Sequence, residues 1–574
     1  MAPGNSHAEG PTPADIINQD LSNYLLIICG AVSAAVIAWK SVDLITKYAR
    51  TVVGANNDRQ HYFARPSPNA ASIKKHVLYA PVLSKRHNRE IQLSSAINVG
   101  TLPTRFQLLF LTAYFITNVI FCVIDIPYAE SYSEVAGMVR NRSGIMAVIN
   151  MIPLFILAGR NNPLIPLLGI SFDTYNLIHR WFGRIVALEA ITHTVAHWAR
   201  GGWLPSIQGT FQNPSFIWGF TATCAFTVLC IQAWSPLRHA FYEFFKLLHI
   251  ALAALSIVGL WFHLSLLKNS YIRYLYPIMA LWALDRAGRA LRLFWFNIGR
   301  SRTRTVVEAL PGNACRVTMT LARPWNFRPG QHAYLYMPGI SLWQSHPFSV
   351  AWHEGADDTN SDRLVSHVQD RAVMQKSQIS FVIRARTGFT DSLYQKVAGS
   401  SAGKMEPVCF VEGPYGAKHA LDSYGTVVLF AGGVGVTHQV PYVRDLVAGF
   451  RDGVVATRRV LLVWTIQSPE HLEWIRPWMT EILAMEKRRD VLRIMLFVSK
   501  PRSSKEIHSP SSTVQMFPGR PNAETLLAME QEQQVGAMAV SVCGPGALSD
   551  EVRLAVRRRQ TRSNIDFIEE AFSW

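Results

Sequence analysis

The chain has 574 residues, of which 49% are hydrophobic and only 17% charged, where roughly a quarter is usual for soluble domains. That composition excludes disorder, collagen and coiled coil, and it argues against three or four ordinary soluble domains. The 56 Lys+Arg against 39 Asp+Glu leave +17, which suits nucleic acid, anionic lipid or phosphorylated ligands until the charge is located.

In chain order, residues 1–24 are rich in Pro, Asn and Asp and lack a basic stretch ahead of the first apolar run. They are expected to be a short extracytoplasmic N-terminus rather than a cleaved signal peptide. Apolar stretches follow at 25–45, 106–126, 145–158, 179–198, 216–234, 247–267 and 271–284, the third and last of them short or ending in charge against the ~20 residues that ~30 Å of hydrocarbon takes, so 25–297 is expected to be a membrane domain of about seven spans. From Lys40 to Arg105 there are 11 Lys/Arg against Asp43, Asp58 and Glu90, a net +8. The positive-inside rule makes that loop cytoplasmic, with the N-terminus outside and everything beyond Arg286, Arg289 and Arg292 in the cytoplasm. With nearly half of the excess in one loop beside the bilayer, nucleic acid is not expected as a partner. Asn141-Arg142-Ser143 is a glycosylation sequon that this topology puts outside. Seven cysteines, at 29, 122, 224, 230, 315, 409 and 543, include no C-x-x-C and make no disulfide framework.

Histidines are costly at bilayer depth, so those inside the apolar stretches point to function. His179 and His193 in the fourth stretch are 14 residues apart, as are His249 and His263 in the sixth. Fourteen steps of ~100° return to within ~40° of the starting face, and at ~1.5 Å per residue they separate the two side chains by ~21 Å. Both stretches run from inside to outside. His179 is therefore expected opposite His249 near the cytoplasm, and His193 opposite His263 near the outer side, each rung supplying two axial ligands to a haem. His197, one turn beyond His193, is the alternative outer ligand, but residue 267 at the matching depth is Leu, so His193 is preferred. His239 lies in the basic segment Pro236-Leu237-Arg238 and suits solvent. Arg180 and Arg184 suit either the inner haem's propionates or the membrane interface.

Beyond 298 the pattern becomes soluble α/β. Strand-like runs at 427–431 and 460–464 alternate with helical stretches at 470–487 and 523–531, as in a parallel sheet covered by helices, while 352–377 reads as a polar surface insertion. Phe327-Arg328-Pro329-Gly330-Gln331-His332, then His346-Pro347-Phe348-Ser349, then Arg384-Ala385-Arg386-Thr387-Gly388-Phe389-Thr390 follow an order that resembles ferredoxin-NADP reductase-type flavin domains. The resemblance implies a β-barrel FAD domain over 298–420. In it the strand of His346, Pro347, Phe348 and Ser349 runs along the isoalloxazine, Ser349 bonds the ring, and Arg384 and Thr390 meet the pyrophosphate, which an arginine's planar fork suits.

Residues 421–574 are expected to form an α/β NADPH-binding domain. Gly432, Gly433, Gly435 and Thr437 follow a strand, where glycine lets backbone approach a pyrophosphate at a helix N-terminus, although the spacing is not G-x-G-x-x-G. Cys543-Gly544-Pro545-Gly546 looks like the loop that faces the nicotinamide in the same reductases. By the same resemblance, the C-terminal Trp574, with Phe572 as the alternative, would stack on the flavin until nicotinamide displaces it, which makes Trp574 and Cys543 the residues at the reacting ring. Lys500 and Arg502 after the strand at 494–498 suit either a 2′-phosphate or solvent.

His179-Arg180-Trp181-Phe182-Gly183-Arg184, the two histidine pairs, His346-Pro347-Phe348-Ser349, the glycine turn, Cys543-Gly544-Pro545-Gly546 and the terminal Phe572-Ser573-Trp574 together resemble the fungal ferric/cupric reductases, relatives of the NADPH oxidases, over 105–574. This implies NADPH, FAD, two b-type haems and a ferric or cupric chelate reduced across a plasma or vacuolar membrane, with iron-uptake partners or a homo-oligomer as company. The short N-terminus departs from that pattern, since a large outer domain is expected to be missing. The alternatives are a superoxide-generating oxidase built on the same chain, and a transporter or channel whose cytoplasmic half senses redox state.

Overall fold

The computed structural model describes residues 12–55, 57, 60–86, 102–240, 242–299, 301–342, 344–354, 377–416, 419–501, 509 and 511–570. Among them seven long helices form the first half: Pro13–Gly54, Arg105–Val123, Tyr132–Ala158, Phe172–Arg200, Pro214–Gln232, Tyr242–Leu266 and Leu275–Asn297. Reciprocal capping boxes open three of them, with Thr12 answering Asp15, Thr104 answering Gln107 and Ser131 answering Glu134.

Seven membrane spans are expected, but five of these helices are long and apolar enough to qualify. Phe172–Arg200 and Leu275–Asn297 fall outside that measure because they carry the polar residues that make the sites, among them Arg180, Arg184, Glu189 and the three histidines of the one, and Asp285, Arg286, Arg289 and Arg292 of the other. The third span, expected from residue 145, belongs to a helix that begins at Tyr132. Arg140, Asn141 and Arg142 interrupt its apolar pattern without breaking the helix. The sequon is corrected by the same observation: Asn141 lies inside that helix rather than in a connection, and Ser143 is fully buried with its hydroxyl donating to the Val139 carbonyl at 2.7 Å.

The first soluble domain is antiparallel. One sheet joins β1 (Arg304–Leu310), β2 (Ala314–Thr320), β5 (Trp352–Glu354), β6 (Gln378–Arg384) and β7 (Lys404–Met405) in the order β5-β6-β2-β1-β7. A second joins β3 (His332–Tyr336), β4 (Ser345–Ser349) and β8 (Phe410–Tyr415) in the order β4-β3-β8. Val307, Val317, Leu335 and Phe381 lie fully buried between them.

The second domain is a six-stranded parallel sheet of β9 (Thr426–Gly432), β10 (Arg459–Ile466), β11 (Leu492–Val498), β12 (Val514–Pro518), β13 (Met538–Cys543) and β14 (Ile565–Glu570), ordered β12-β11-β10-β9-β13-β14. Its strands are apolar almost throughout, as expected when helices cover both faces. The chain builds outward from β9 to β12, then crosses back to β13. The order therefore reverses between β9 and β13, and a crevice opens at their carboxyl ends, where open α/β sheets bind nucleotides.

Candidate functional site

The structure faces the two histidine pairs across the bundle. Ring centroids are 6.2 Å apart for His179 and His249 and 6.1 Å for His193 and His263. An iron with one imidazole on each side, at about 2 Å from each nitrogen, needs centroids about 6 Å apart, so both rungs fit a bis-histidine haem. His197 instead packs against the Phe216 ring, tilted, with centroids 4.7 Å apart.

Hydrogen bonds set the tautomers. His179 Nδ1 donates to the Leu154 carbonyl (3.0 Å), His193 Nδ1 to that of Arg140 (2.7 Å) and His263 Nδ1 to that of Ser215 (2.8 Å), which leaves each Nε2 lone pair for a metal. His249 Nδ1 lies 3.3 Å from the side-chain amide of Gln232.

Gly144 and Gly219 sit four residues after Arg140 and Ser215 on their helices. A Cβ on Gly144 would lie 2.4 Å from His193 Nδ1, and one on Gly219 2.6 Å from His263 Nδ1. Each ring can therefore reach a carbonyl already used by its helix only because the side chain one turn on is absent. Sequence inspection singles out the histidines but not these glycines, whose signal is an i+4 offset from the residue on their own helix whose carbonyl meets the ring.

The inner rung opens into a cavity of about 300 Å³ lined by His179, His249, Arg180, Arg184, Lys246 and Arg289, among others. Arg184 also lies over the Trp181 ring at 4.4 Å. A second cavity, about 630 Å³, lies between the segment at 160–166, which runs into the short helix Leu164–Leu168, and the barrel, and includes His332, Tyr334, Tyr415 and Arg292. Tyr334 pairs with Pro347 and His332 with Ser349 across β3 and β4, and directly opposed residues share a face. Pro347 and Ser349 thus face the side of Tyr334 and His332, while His346 stacks on Phe389 at 4.6 Å.

Glu412 holds the barrel to the last long helix. Burial would raise its pKa, but the Arg289 guanidinium, bonded at 2.8 Å and charged, keeps it below the ordinary carboxylate value, with Tyr415 donating as well. Arg384 and Thr390 do not share a partner. Arg384 donates to Gln467 of the second domain (3.0 Å), whereas the Thr390 hydroxyl accepts from the Arg386 amide (3.1 Å) at the start of the helix Phe389–Ala398.

At the end of the parallel sheet the two expected nucleotide loops come together. A Cβ on Gly435 would lie 2.1 Å from the Cys543 carbonyl, and Gly544 approaches the backbone of Gly432, so two glycine-lined turns pack main chain against main chain. The Thr437 hydroxyl donates to Val434 at 2.8 Å. Cys543 is buried, which pushes its thiol pKa well above the ordinary value, with Glu570 adding to the effect.

Glu570 is opposite Cys543 in the sheet and was not singled out by sequence. Burial, together with Asp173 and Glu569, raises its pKa to about 8, so it is mainly protonated at neutral pH. His438 and Tyr442, 5.5 Å apart and buried, have no hydrogen-bond partner for the ring nitrogens or the hydroxyl among the described residues. Pro545 packs against Gly432, and Gly546 begins the next helix, Gly546–Arg559. Lys500 is exposed just past β11. Arg502, Phe572 and Trp574 lie outside the described residues, as does the His239 side chain.

Comparison with known proteins gives three family matches in chain order. Residues 143–260 match the ferric reductase like transmembrane component, 300–372 an FAD-binding domain and 424–557 the ferric reductase NAD binding domain. Ferric reductase transmembrane component 3 of Saccharomyces cerevisiae is 26% identical over 520 residues, covering 83% of this chain and 68% of that protein. Ferric/cupric reductase transmembrane component 2 of the same yeast is 24% identical over 540 residues, covering 87% and 71%. A probable cell surface ferric reductase of Aspergillus oryzae is 29% identical over 431 residues, covering 72% and 53%.

Proposed function

The chain belongs to the fungal ferric/cupric reductase family, and from that premise we propose that it moves electrons from cytoplasmic NADPH across the membrane to a ferric chelate. The observation that carries this is the pair of facing histidine rungs, in a bundle whose last long helix is tied to the barrel by Arg289 and Glu412. Bound FAD would supply the exchange of one hydride for two single electrons, and bound haem the one-electron chemistry that matches it.

The residues divide that work by position. His179 and His249 would hold an inner iron through Nε2, and His193 and His263 an outer one. Arg180 and Arg184 would serve an inner haem's propionates. Pro347 and Ser349 would meet a flavin ring, and Arg384 and Thr390 its phosphates. Gly432, Gly433, Gly435 and Thr437 shape one wall of the NADPH crevice, and Cys543, Gly544, Pro545 and Gly546 the other. Trp574, outside the described residues, is the residue that the family resemblance would put against the flavin ring. No side chain is required as a general base, because the cofactors carry the redox chemistry and the protein sets their distances and surroundings.

The site of action is the plasma membrane, with cupric chelates as a second acceptor and iron uptake as the purpose. Membranes from expressing cells, sealed with NADPH inside, should reduce an impermeant ferric chelate outside, and the purified protein should show a two-haem reduced-minus-oxidised spectrum. A rate no higher than that of control membranes would overturn the function, and a missing Soret band would overturn the route.

A further inference from the structure

The cytoplasmic loop that carries +8 is built into the nicotinamide domain. The helix Pro13–Gly54 spans ~63 Å at ~1.5 Å per residue, about twice a hydrocarbon core, and its last turn reaches that domain. Arg50, buried, lies over the Tyr424 ring at 4.4 Å. Gln60 follows as a plug. Its amide donates to the Ala456 carbonyl at 2.6 Å, and a Cβ on Gly425 or Gly536 would lie 2.7 or 2.4 Å from its side-chain oxygen.

Residues 60–86 then run along β14, the edge strand. The Asn564 amide donates to the Ala64 carbonyl at 2.9 Å and the Phe567 amide to the Tyr79 hydroxyl at 3.2 Å, so the arm answers backbone donors that an uncovered edge leaves free. Lys74 pairs with Asp566 at 2.6 Å, and Tyr424 donates to the other oxygen of that carboxylate at 2.7 Å. Arg86 pairs with Glu569, which Arg553 also holds. The next residue is Glu570, opposite Cys543 at the mouth of the crevice.

We propose that residues 60–86 are a positioning element for the NADPH half of the reaction: by fixing β14 from outside the sheet they set the wall that carries Glu570 beside Cys543. This rests on the electron-transfer function proposed above. The arm bonds both the sheet edge at 564–569 and the helix Gly546–Arg559, through Arg86 to Asp550 and Arg557 to Lys75, so its effect passes through those two elements. It should be confined to hydride entry and leave the haem rungs alone.

The test uses the full-length protein loaded with haem and FAD, with anaerobic flavin bleaching by NADPH followed in a stopped flow and haem reduction by dithionite as the second readout. In Lys74→Met, bleaching should slow by roughly tenfold and half-saturate at higher NADPH, as for loss of one member of a partly buried, hydrogen-bonded pair, with haem content and the dithionite-reduced spectrum unchanged. Lys74→Arg should restore most of the rate. Tyr79→Phe, which removes one hydrogen bond, should slow bleaching by about threefold and serves if Lys74→Met does not accumulate. Normal bleaching in Lys74→Met or in Tyr79→Phe overturns the proposal, as does Lys74→Arg behaving like Lys74→Met. If NADPH fails to bleach the wild-type flavin, it is the electron-transfer function that falls instead.

Discussion

The two histidine rungs use the same ligand type at the same spacing, yet they are built differently. The outer pair is set by close packing: both rings bond main-chain carbonyls of neighbouring helices, and both sit where a glycine leaves room. The inner pair opens into a cavity with arginines around it, and one of its rings faces a side-chain amide rather than a carbonyl. Groups behind a ligand orient it and tune the metal, so the outer site should be sensitive to volume and the inner site to charge and hydrogen bonding.

The largest expected effect comes from the ligands themselves. His179→Ala or His249→Ala should each remove the inner haem, leave one haem per chain by pyridine haemochrome assay, and lower chelate reduction by more than about 100-fold. His197→Ala should retain both haems, and a one-haem His197→Ala protein would move the outer ligand to His197. Next come the glycines. Gly144→Ala and Gly219→Ala should lose the outer haem and keep the inner one, with outer-haem affinity down about 10–100-fold, because ring or helix must shift to admit the methyl. Equal loss of both haems would erase the contrast between the rungs.

Smaller changes sharpen the inner site. Gln232→Leu removes the amide beside His249 and should weaken inner-haem retention by about tenfold while the outer haem stays bound, as read by haem release to an acceptor protein. Arg180→Gln and Arg184→Gln should each make the inner haem harder to reduce in a potentiometric titration, since a positive neighbour favours the reduced form. The outer haem, about 21 Å away along the helix, should move less.

The contrast between answered and unanswered polar groups recurs in two acids of the soluble half, Glu412 buried and Glu570 half-buried. Glu412 is met by Arg289 and held below the ordinary carboxylate value despite burial, whereas burial and two neighbouring acids raise Glu570 to about 8. A carboxyl whose folded-state pKa is raised gives its full contribution below the unfolded value of about 4.5 and loses it as pH rises through about 8. The thermal midpoint of Glu570→Gln should therefore match wild type near pH 4 and exceed it increasingly up to pH 8, by a few degrees, then run parallel. A constant difference across that range would contradict a protonated Glu570.

Much of the site can be read from particular residues. The 14-residue spacing of the histidines carries over because helix periodicity alone fixes which side chains share a face, and no packing detail can alter it within a straight helix. Glycines near nucleotide loops are legible for a related reason, since a main chain that must touch another main chain leaves little choice of residue. The extent of Tyr132–Ala158 was not legible: Arg140, Asn141 and Arg142 break an apolar run, while in the bundle Arg142 donates to Asn18 at 3.0 Å and so is answered inside the helix packing. Glu570 was hidden because its proton depends on what the sheet brings beside it.

The basic loop shows the same division. Sequence by itself determined that residues 40–105 are strongly positive, and a count of charges near the ends of apolar spans leads to the expectation that they lie on the cytoplasmic side. It suggested only lipid for them to meet. Tertiary structure decided that Lys74 and Arg86 are spent on Asp566 and Glu569, hundreds of residues away in sequence. Periodicity and charge are local properties of a chain, whereas the partner of a side chain is set by which strand the fold leaves at its edge.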